Sequence, residues 1–272
     1  MEAGVAPPNT DAQQLAATSR LREHNMSLPT GNVVQFEAAS RPAACRRCDL
    51  GGICEALRRG ADGARRGGAV QRGKLLFRQG EVFKGLFVVR SGSVKTSTNA
   101  TDGVEQVVRF HMPGEVLGLD GLCGDVYHAT ATALEMASFC RISSEELDQL
   151  LTRNPEAARE LLGLAGRELV AEQGRLALVG QRAADARLAA FLLGLSREYA
   201  RRGYSSTEFN LSMSRQDIAN YLALAVETVS RLFTLFCQSG LLDVERRRVR
   251  ILDIDGLRAL LGGGQRQSVA SS

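Results

Sequence analysis

Glycine-based turns punctuate the stretch from Lys74 to Ser143 at close intervals. Breaks fall at Gly80, Gly92, Asp102-Gly103 and Pro113-Gly114. Between them lie short runs such as Leu75-Leu76-Phe77, Gly85-Leu86-Phe87-Val88-Val89-Arg90 and Ser93-Val94-Lys95-Thr96. Short strand-like runs separated by glycine turns are the pattern of an antiparallel β-roll. One further strand, roughly Thr130 to Ile142, closes this unit, which the sequence places at 74–143.

Residues 144–181 change period. Ser143 or Ser144, followed by Glu145 and Glu146, is an N-cap with acids in the first turn. Pro155 suits the first turn of a second, long helix. Along it Leu161, Ala165, Leu169, Glu172, Leu176 and Val179 recur at steps of three and four. That spacing reads as a narrow seam for one partner helix, hence a dimerisation helix, with Leu162 and Leu164 left to pack on the roll. The plainer alternative is an amphipathic helix lying on its own roll. In the seam reading a two-fold axis brings Glu172 near its symmetry mate, where opposed carboxylates repel.

Residues 182–262 read as helices with a small β end. Asp185–Gly194 is helical, and Val249–Leu252 is a strand after the charged turn Glu245–Arg248. Within this unit Ser214 caps a helix whose inner face carries Ile218, Ala219 and Leu222. Leu224-Ala225 turns the chain, and a second helix from Val226 buries Val229, Leu232, Phe233 and Phe236. This is a helix-turn-helix, with Ala219 small enough for a close crossing. Glu227, Ser230 and Arg231 project from the start of the second helix. Arg pairs with guanine, Glu accepts from the cytosine amino group, and Ser bonds base or phosphate. Val226, Thr228, Ser214 and Arg215 complete the expected DNA-facing set.

The 272 residues suffice for two compact cores, and 44% hydrophobic with 24% charged residues is ordinary for a globular chain. A net charge of +4 predicts a local basic patch rather than a basic tail. No apolar run is long enough for a membrane span, and the N-terminus lacks a secretory pattern, so a cytoplasmic location is expected. Residues 1–44 read as a disordered extension, 45–73 as a cysteine loop and Gly/Arg linker, and 263–272 as a flexible tail.

Of six cysteines, three fall within ten residues, as Cys45-Arg-Arg-Cys48-Asp-Leu-Gly-Gly-Ile-Cys54. Such a trio, completed by a distant fourth thiolate, suits an iron–sulfur cluster, and four thiolates suit zinc equally well. Redox thiols are the third alternative. Cys123, Cys140 and Cys237 are the candidates for the fourth ligand, with Cys237 better suited to apolar packing.

Taken together, Cys45-x2-Cys48-x5-Cys54, Ile218-Ala-Asn-Tyr-Leu222 and Val226-Glu-Thr-Val-Ser-Arg231 resemble the fumarate-and-nitrate-reduction regulator (FNR) branch of the cyclic-AMP receptor protein superfamily. Arg90-Ser-Gly92, Phe110-His-Met-Pro-Gly114 and Arg187-Leu-Ala-Ala-Phe191 support the resemblance. It implies an α+β chain: a cyclic-nucleotide-binding-like β-roll, a dimerisation helix and a winged helix-turn-helix. It also implies an oxygen-labile 4Fe-4S cluster on Cys45, Cys48, Cys54 and Cys140. With the cluster, a homodimer binds inverted-repeat double-stranded DNA and controls the switch to anaerobic metabolism. The loop around Thr101-Asp102-Gly103 is of the kind that can touch RNA polymerase in the family, an ordinary hairpin turn being the plainer reading. Activation and repression both fall within its scope.

The rival readings are a zinc-stabilised or small-ligand-responsive regulator of the same superfamily and an iron–sulfur electron carrier. Catalysis is not expected: His24, His111 and His128 are scattered, and no acid–base pair accompanies them. No cyclic nucleotide is expected either. Where relatives hold the cyclic phosphate with Arg-Ser, this chain has Tyr127-His128-Ala129, without a fixed cation.

Overall fold

The structure is a computed structural model and describes residues 48–60, 67–99, 103–181 and 183–262. Cys45, His24, the N-terminal extension, the C-terminal tail and part of the Thr101–Gly103 loop lie outside the described residues.

Eight strands build the roll: β1 (Gly67–Val70), β2 (Leu75–Phe77), β3 (Gly85–Ser91), β4 (Val94–Asn99), β5 (Glu105–His111), β6 (Val116–Leu117), β7 (Thr130–Ala133) and β8 (Ala137–Ser143). They form two antiparallel sheets, ordered β1-β8-β3-β6 and β2-β7-β4-β5. Two expectations change here. Gly67–Val70 is a strand paired with β8 rather than linker, because its small residues fit the edge beside Phe139 and Cys140. The single strand expected over Thr130–Ile142 is two strands in different sheets, split where Leu134–Met136 turns the chain.

The first sheet is buried on both faces. Along β8, Ala137 and Phe139 point into the roll, while Cys140 and Ile142 point outward under the helices. Along β3, Phe87 and Val89 face inward, and Leu86 and Val88 outward. Two-sided burial explains why this stretch reads as a continuous apolar run. Inside the roll Tyr127 stacks on Phe77 with ring centroids 3.9 Å apart, and Phe87 lies 5.6 Å from Phe77. Tyr127 is fully buried; its hydroxyl donates to the Gly85 carbonyl and accepts from Lys84 N.

Three helices cover the outward face: α1 (Gly51–Gly60), α2 (Ser144–Arg153) and α3 (Pro155–Gln181). Ser143 caps α2, with Glu146 reaching back to complete the capping box. The expected loop after Cys48 is therefore partly helix. Leu50, Ile53 and Cys54 bury one side of α1 against Leu147, Ala157, Leu161 and Leu164. Helix α4 (Ala184–Arg201) opens the second unit, followed by β9 (Glu208–Asn210), α5 (Arg215–Leu222), α6 (Val226–Gln238), the hairpin β10 (Leu242–Glu245) and β11 (Arg248–Ile251), and α7 (Ile254–Gly262). The three strands pair as β10-β11-β9, making a winged helix-turn-helix.

Candidate thiolate and DNA-reading sites

Three of the four proposed ligands lie in one apolar cluster. Cys54 and Cys140 are buried and Cys48 is half-buried, all packed with Leu50, Ile53, Val88 and Val116. Local geometry brings them there. The Cys48 carbonyl accepts from Gly51 N to open a turn, and the Leu50 carbonyl accepts from Cys54 N as α1 begins. Cys140 sits mid-strand, opposite Gly67 on β1 and Val88 on β3, so its side chain emerges on the face that α1 covers. The competitors lie elsewhere. Cys123 is exposed, with its Sγ on the Asp120 carbonyl, and Cys237 packs on the core of the DNA-binding unit. The described residues contain no closed group of three metal-binding side chains; Cys45 lies outside them.

The helix-turn-helix forms from its own caps and core. Ser214 Oγ accepts from Asp217 N, and the Asp217 carboxylate accepts from Ser214 N in return. Ala223 takes a left-handed φ of 52°, which turns the chain between α5 and α6. Ile218, Ala219, Leu222, Val229, Phe233 and Phe236 are buried between the helices. Glu227, Ser230 and Arg231 are all exposed on α6, with Val226 and Thr228 half-buried beside them. The Ser230 hydroxyl donates back to the Val226 carbonyl. Arg215 is less available than the sequence suggested: its guanidinium lies 3.3 Å from the centroid of the Phe233 ring, and burial pulls its pKa down. The wing, expected as a charged turn but given no DNA-facing role from the sequence, exposes Arg246 and Arg247 at the hairpin turn between β10 and β11. The triple arginine was its visible signal.

The two units are docked. Lys95 Nζ pairs with Asp217 at 2.8 Å and Glu105 at 2.9 Å. Asn220 Oδ1 accepts from Val107 N, its Nδ2 donates to the Glu105 carbonyl, and its own carbonyl accepts from Gln106. Burial opposes the charge on Asp217, yet the bonds from Lys95 and Ser214 hold its carboxyl below the usual range. Burial likewise opposes the charge on Lys95, and its two carboxylate partners still raise its pKa. The pairs that join the two units are more than a hundred residues apart and carry no local sequence pattern.

The seam on α3 needs correction. Leu161 is only 7% exposed and belongs to the core beneath α1, whereas Leu162 is 72% exposed. Leu164 packs inward as expected. The exposed apolar residues are Leu162, Leu169, Val170 and Leu176, and three of them repeat every seven residues. Ala165 is exposed beside them, and Val179 is half-buried. Glu172 also differs. It accepts from Arg175 Nε at 2.9 Å and lines a cleft of about 750 Å3 between α3, α4 and β5. Within the single chain a nearby guanidinium thus partners its charge. No described helix is long and apolar enough to cross a membrane.

Known proteins share these features. The family described as cyclic nucleotide-binding domain matches residues 69–154, and the Crp-like helix-turn-helix domain matches 186–260. The chain is 44% identical over 232 residues to the transcriptional activator protein FnrA of Stutzerimonas stutzeri, covering 83% of this chain and 95% of that one. It is 39% identical over 193 residues to the fumarate and nitrate reduction regulatory protein of Salmonella typhimurium, covering 71% of this chain and 77% of that one. Among solved structures, FixK2 from Bradyrhizobium japonicum superimposes with a TM-score of 0.67 at 26% identity, covering 72% of this chain and 96% of FixK2.

Proposed function

The chain belongs to the FNR branch of the cyclic-AMP receptor protein superfamily, a family of transcription regulators, and on that premise we propose that it is an oxygen-responsive regulator of anaerobic metabolism. In this reading Cys45, Cys48, Cys54 and Cys140 hold a 4Fe-4S cluster, and the loaded protein binds an inverted-repeat operator as a homodimer. One observation carries the reading: Cys48, Cys54 and Cys140, up to 92 positions apart, share a single apolar cluster while Cys123 and Cys237 do not. Soft thiolates in a water-poor setting suit an iron–sulfur group, whose stability depends on its ligands and on solvent exclusion. When bound, that group supplies an oxygen-labile tie between the segment at Cys48 and the strand at Cys140.

The chain's own residues do the rest. Leu50 and Ile53 hold the segment against the roll by apolar burial, and Leu161 and Leu164 pass its position to α3. Leu162, Leu169 and Leu176 form the seam for the second copy, in the heptad spacing of paired helices. Glu227, Ser230 and Arg231, aided by Val226 and Thr228, read base edges in a major groove. Ser214, at the cap of α5, and Arg215 lie beside the phosphates. Dimerisation matters because each helix reads only a half-site, and two half-sites one turn apart give the operator its two-fold symmetry. The hairpin turn at Gly103 is the proposed contact with RNA polymerase. With Tyr127, Phe77 and Phe87 filling the roll, cyclic nucleotide is not the proposed effector.

Protein prepared without oxygen tests this directly. Iron and sulfide content, a visible charge-transfer absorbance and tight operator binding are expected together, and air should remove all three. Zinc in place of iron, or an iron-free preparation binding its operator at full strength, refutes the cluster reading.

A further inference from the structure

The cysteine segment touches the roll at one turn, and the DNA-binding unit is anchored to that same turn. Asp49, directly after Cys48, donates its backbone N–H to the Gly114 carbonyl at 2.9 Å. One residue earlier, the Pro113 carbonyl accepts from Arg202 Nε at 2.9 Å, and one residue later Glu115 Oε1 accepts from Arg202 Nη2 at 2.5 Å. Arg202 follows α4, the first helix of the DNA-binding unit. Its side chain is 6% exposed and that of Glu115 7%, so this charge pair is sealed from water.

We propose that the turn Pro113–Glu115 is a bracket through which the cysteine segment positions the DNA-binding unit, with Asp49 on one side and Arg202 on the other. The inference rests on the cofactor reading above and adds a route separate from dimerisation. The bracket is stiff: Gly114 N donates to the Val89 carbonyl, and Val89 N to the Glu115 carbonyl, tying it to β3 beside the strand of Cys140. Gly114 has φ 99°, a conformation that favours glycine. Arg201 at the end of α4 and Arg109 on β5 also lie within 4 Å of the Glu115 carboxylate. Arg109 pairs in addition with Glu168 on α3. Holding Cys48 and Cys54 to Cys140 keeps Asp49 on the bracket. Releasing them withdraws the Asp49 hydrogen bond from the turn that also holds Arg202, and so loosens the seat of a buried ion pair. Arg202 is therefore a positioning residue for operator binding.

The test uses full-length protein, prepared without oxygen and then exposed to air, with hydrogen exchange followed at 196–203. In the parent, exchange there should accelerate about 10-fold or more as the visible absorbance is lost, since local opening sets the rate. The double variant Arg202→Met with Glu115→Gln leaves no unpaired buried charge. It should keep the anaerobic absorbance and the parent's sedimentation, yet exchange equally fast at 196–203 before and after air. Its operator affinity should fall about 10-fold, within the range of ordinary coupling energies. Arg202→Lys, which keeps the charge without the fork, should fall between. A parent that carries the absorbance but exchanges identically in both states overturns the bracket alone, as does a double variant that binds operator like the parent. A parent with no absorbance overturns the cofactor reading and the bracket with it.

Discussion

Adjacent leucines on α3 are predicted to respond to truncation in opposite ways. Leu161 is buried within its own protomer, so Leu161→Ala should cost about 2–5 kcal/mol of folding stability by leaving a cavity. Leu162 is 72% exposed in the single chain and sits at the head of the seven-residue repeat with Leu169 and Leu176. Covering one leucine side chain is worth about 1.5–3 kcal/mol, and a two-fold seam counts it twice. Leu162→Ala should thus leave denaturant unfolding nearly unchanged while weakening the dimer by about 3–6 kcal/mol, roughly 150- to 20,000-fold in dissociation constant. Sedimentation equilibrium of anaerobic protein over a concentration series measures the second quantity, and urea unfolding of the air-exposed monomer the first. If Leu162→Ala dimerises like the parent, the seam assigned to that face of α3 is wrong.

Other expectations follow from the same geometry. Cys140→Ser should abolish the anaerobic absorbance, while Cys123→Ser, on an exposed turn, should retain it; the reverse result would transfer the ligand role. Asn220→Ala removes two side-chain bonds to the β4–β5 hairpin and strands Val107 N, costing about 1–3 kcal/mol by chemical denaturation. An unchanged midpoint would show that the docking contact adds nothing. Asp217, whose folded pKa is depressed, contributes stability present above its unfolded value near 3.9 and lost as pH falls through the folded value. Lys95, raised by its partners, contributes below its unfolded value near 10.4 and loses that contribution as pH rises through the folded one. Stability measured in acid should therefore fall less for Asp217→Asn than for the parent.

Much of this was legible in the chain. The caps at Ser143 and Ser214, the start of the long helix at Pro155 and the inner faces of the helix-turn-helix follow from local chemistry, and the structure shows them. The face of Cys140 was not legible: only the resemblance favoured it over Cys123, and it takes the folded strand, with Phe139 inside the roll, to turn it outward toward α1. The errors share a cause. Leu161 and Leu162 are adjacent leucines on a helix apolar on two sides, and only the position of α1 decides which one faces inward. Gly67–Val70 lacks the side chains that mark a strand, yet β8 supplies the partner. Arg202, Glu115 and Asn220 are ordinary surface types by composition, yet partners about a hundred residues away bury the first two and half-bury the third.

The interior of the roll has one more consequence. Stacked rings of Phe77, Phe87 and Tyr127 pack its interior, so it behaves as a beam rather than a cup. A displacement at one end reaches the other with little lost to compression. What the beam reports is set by whatever is fastened to its outer side, and a lineage could change stimulus by exchanging that short attachment while the lever and the grip on the operator stay as they are.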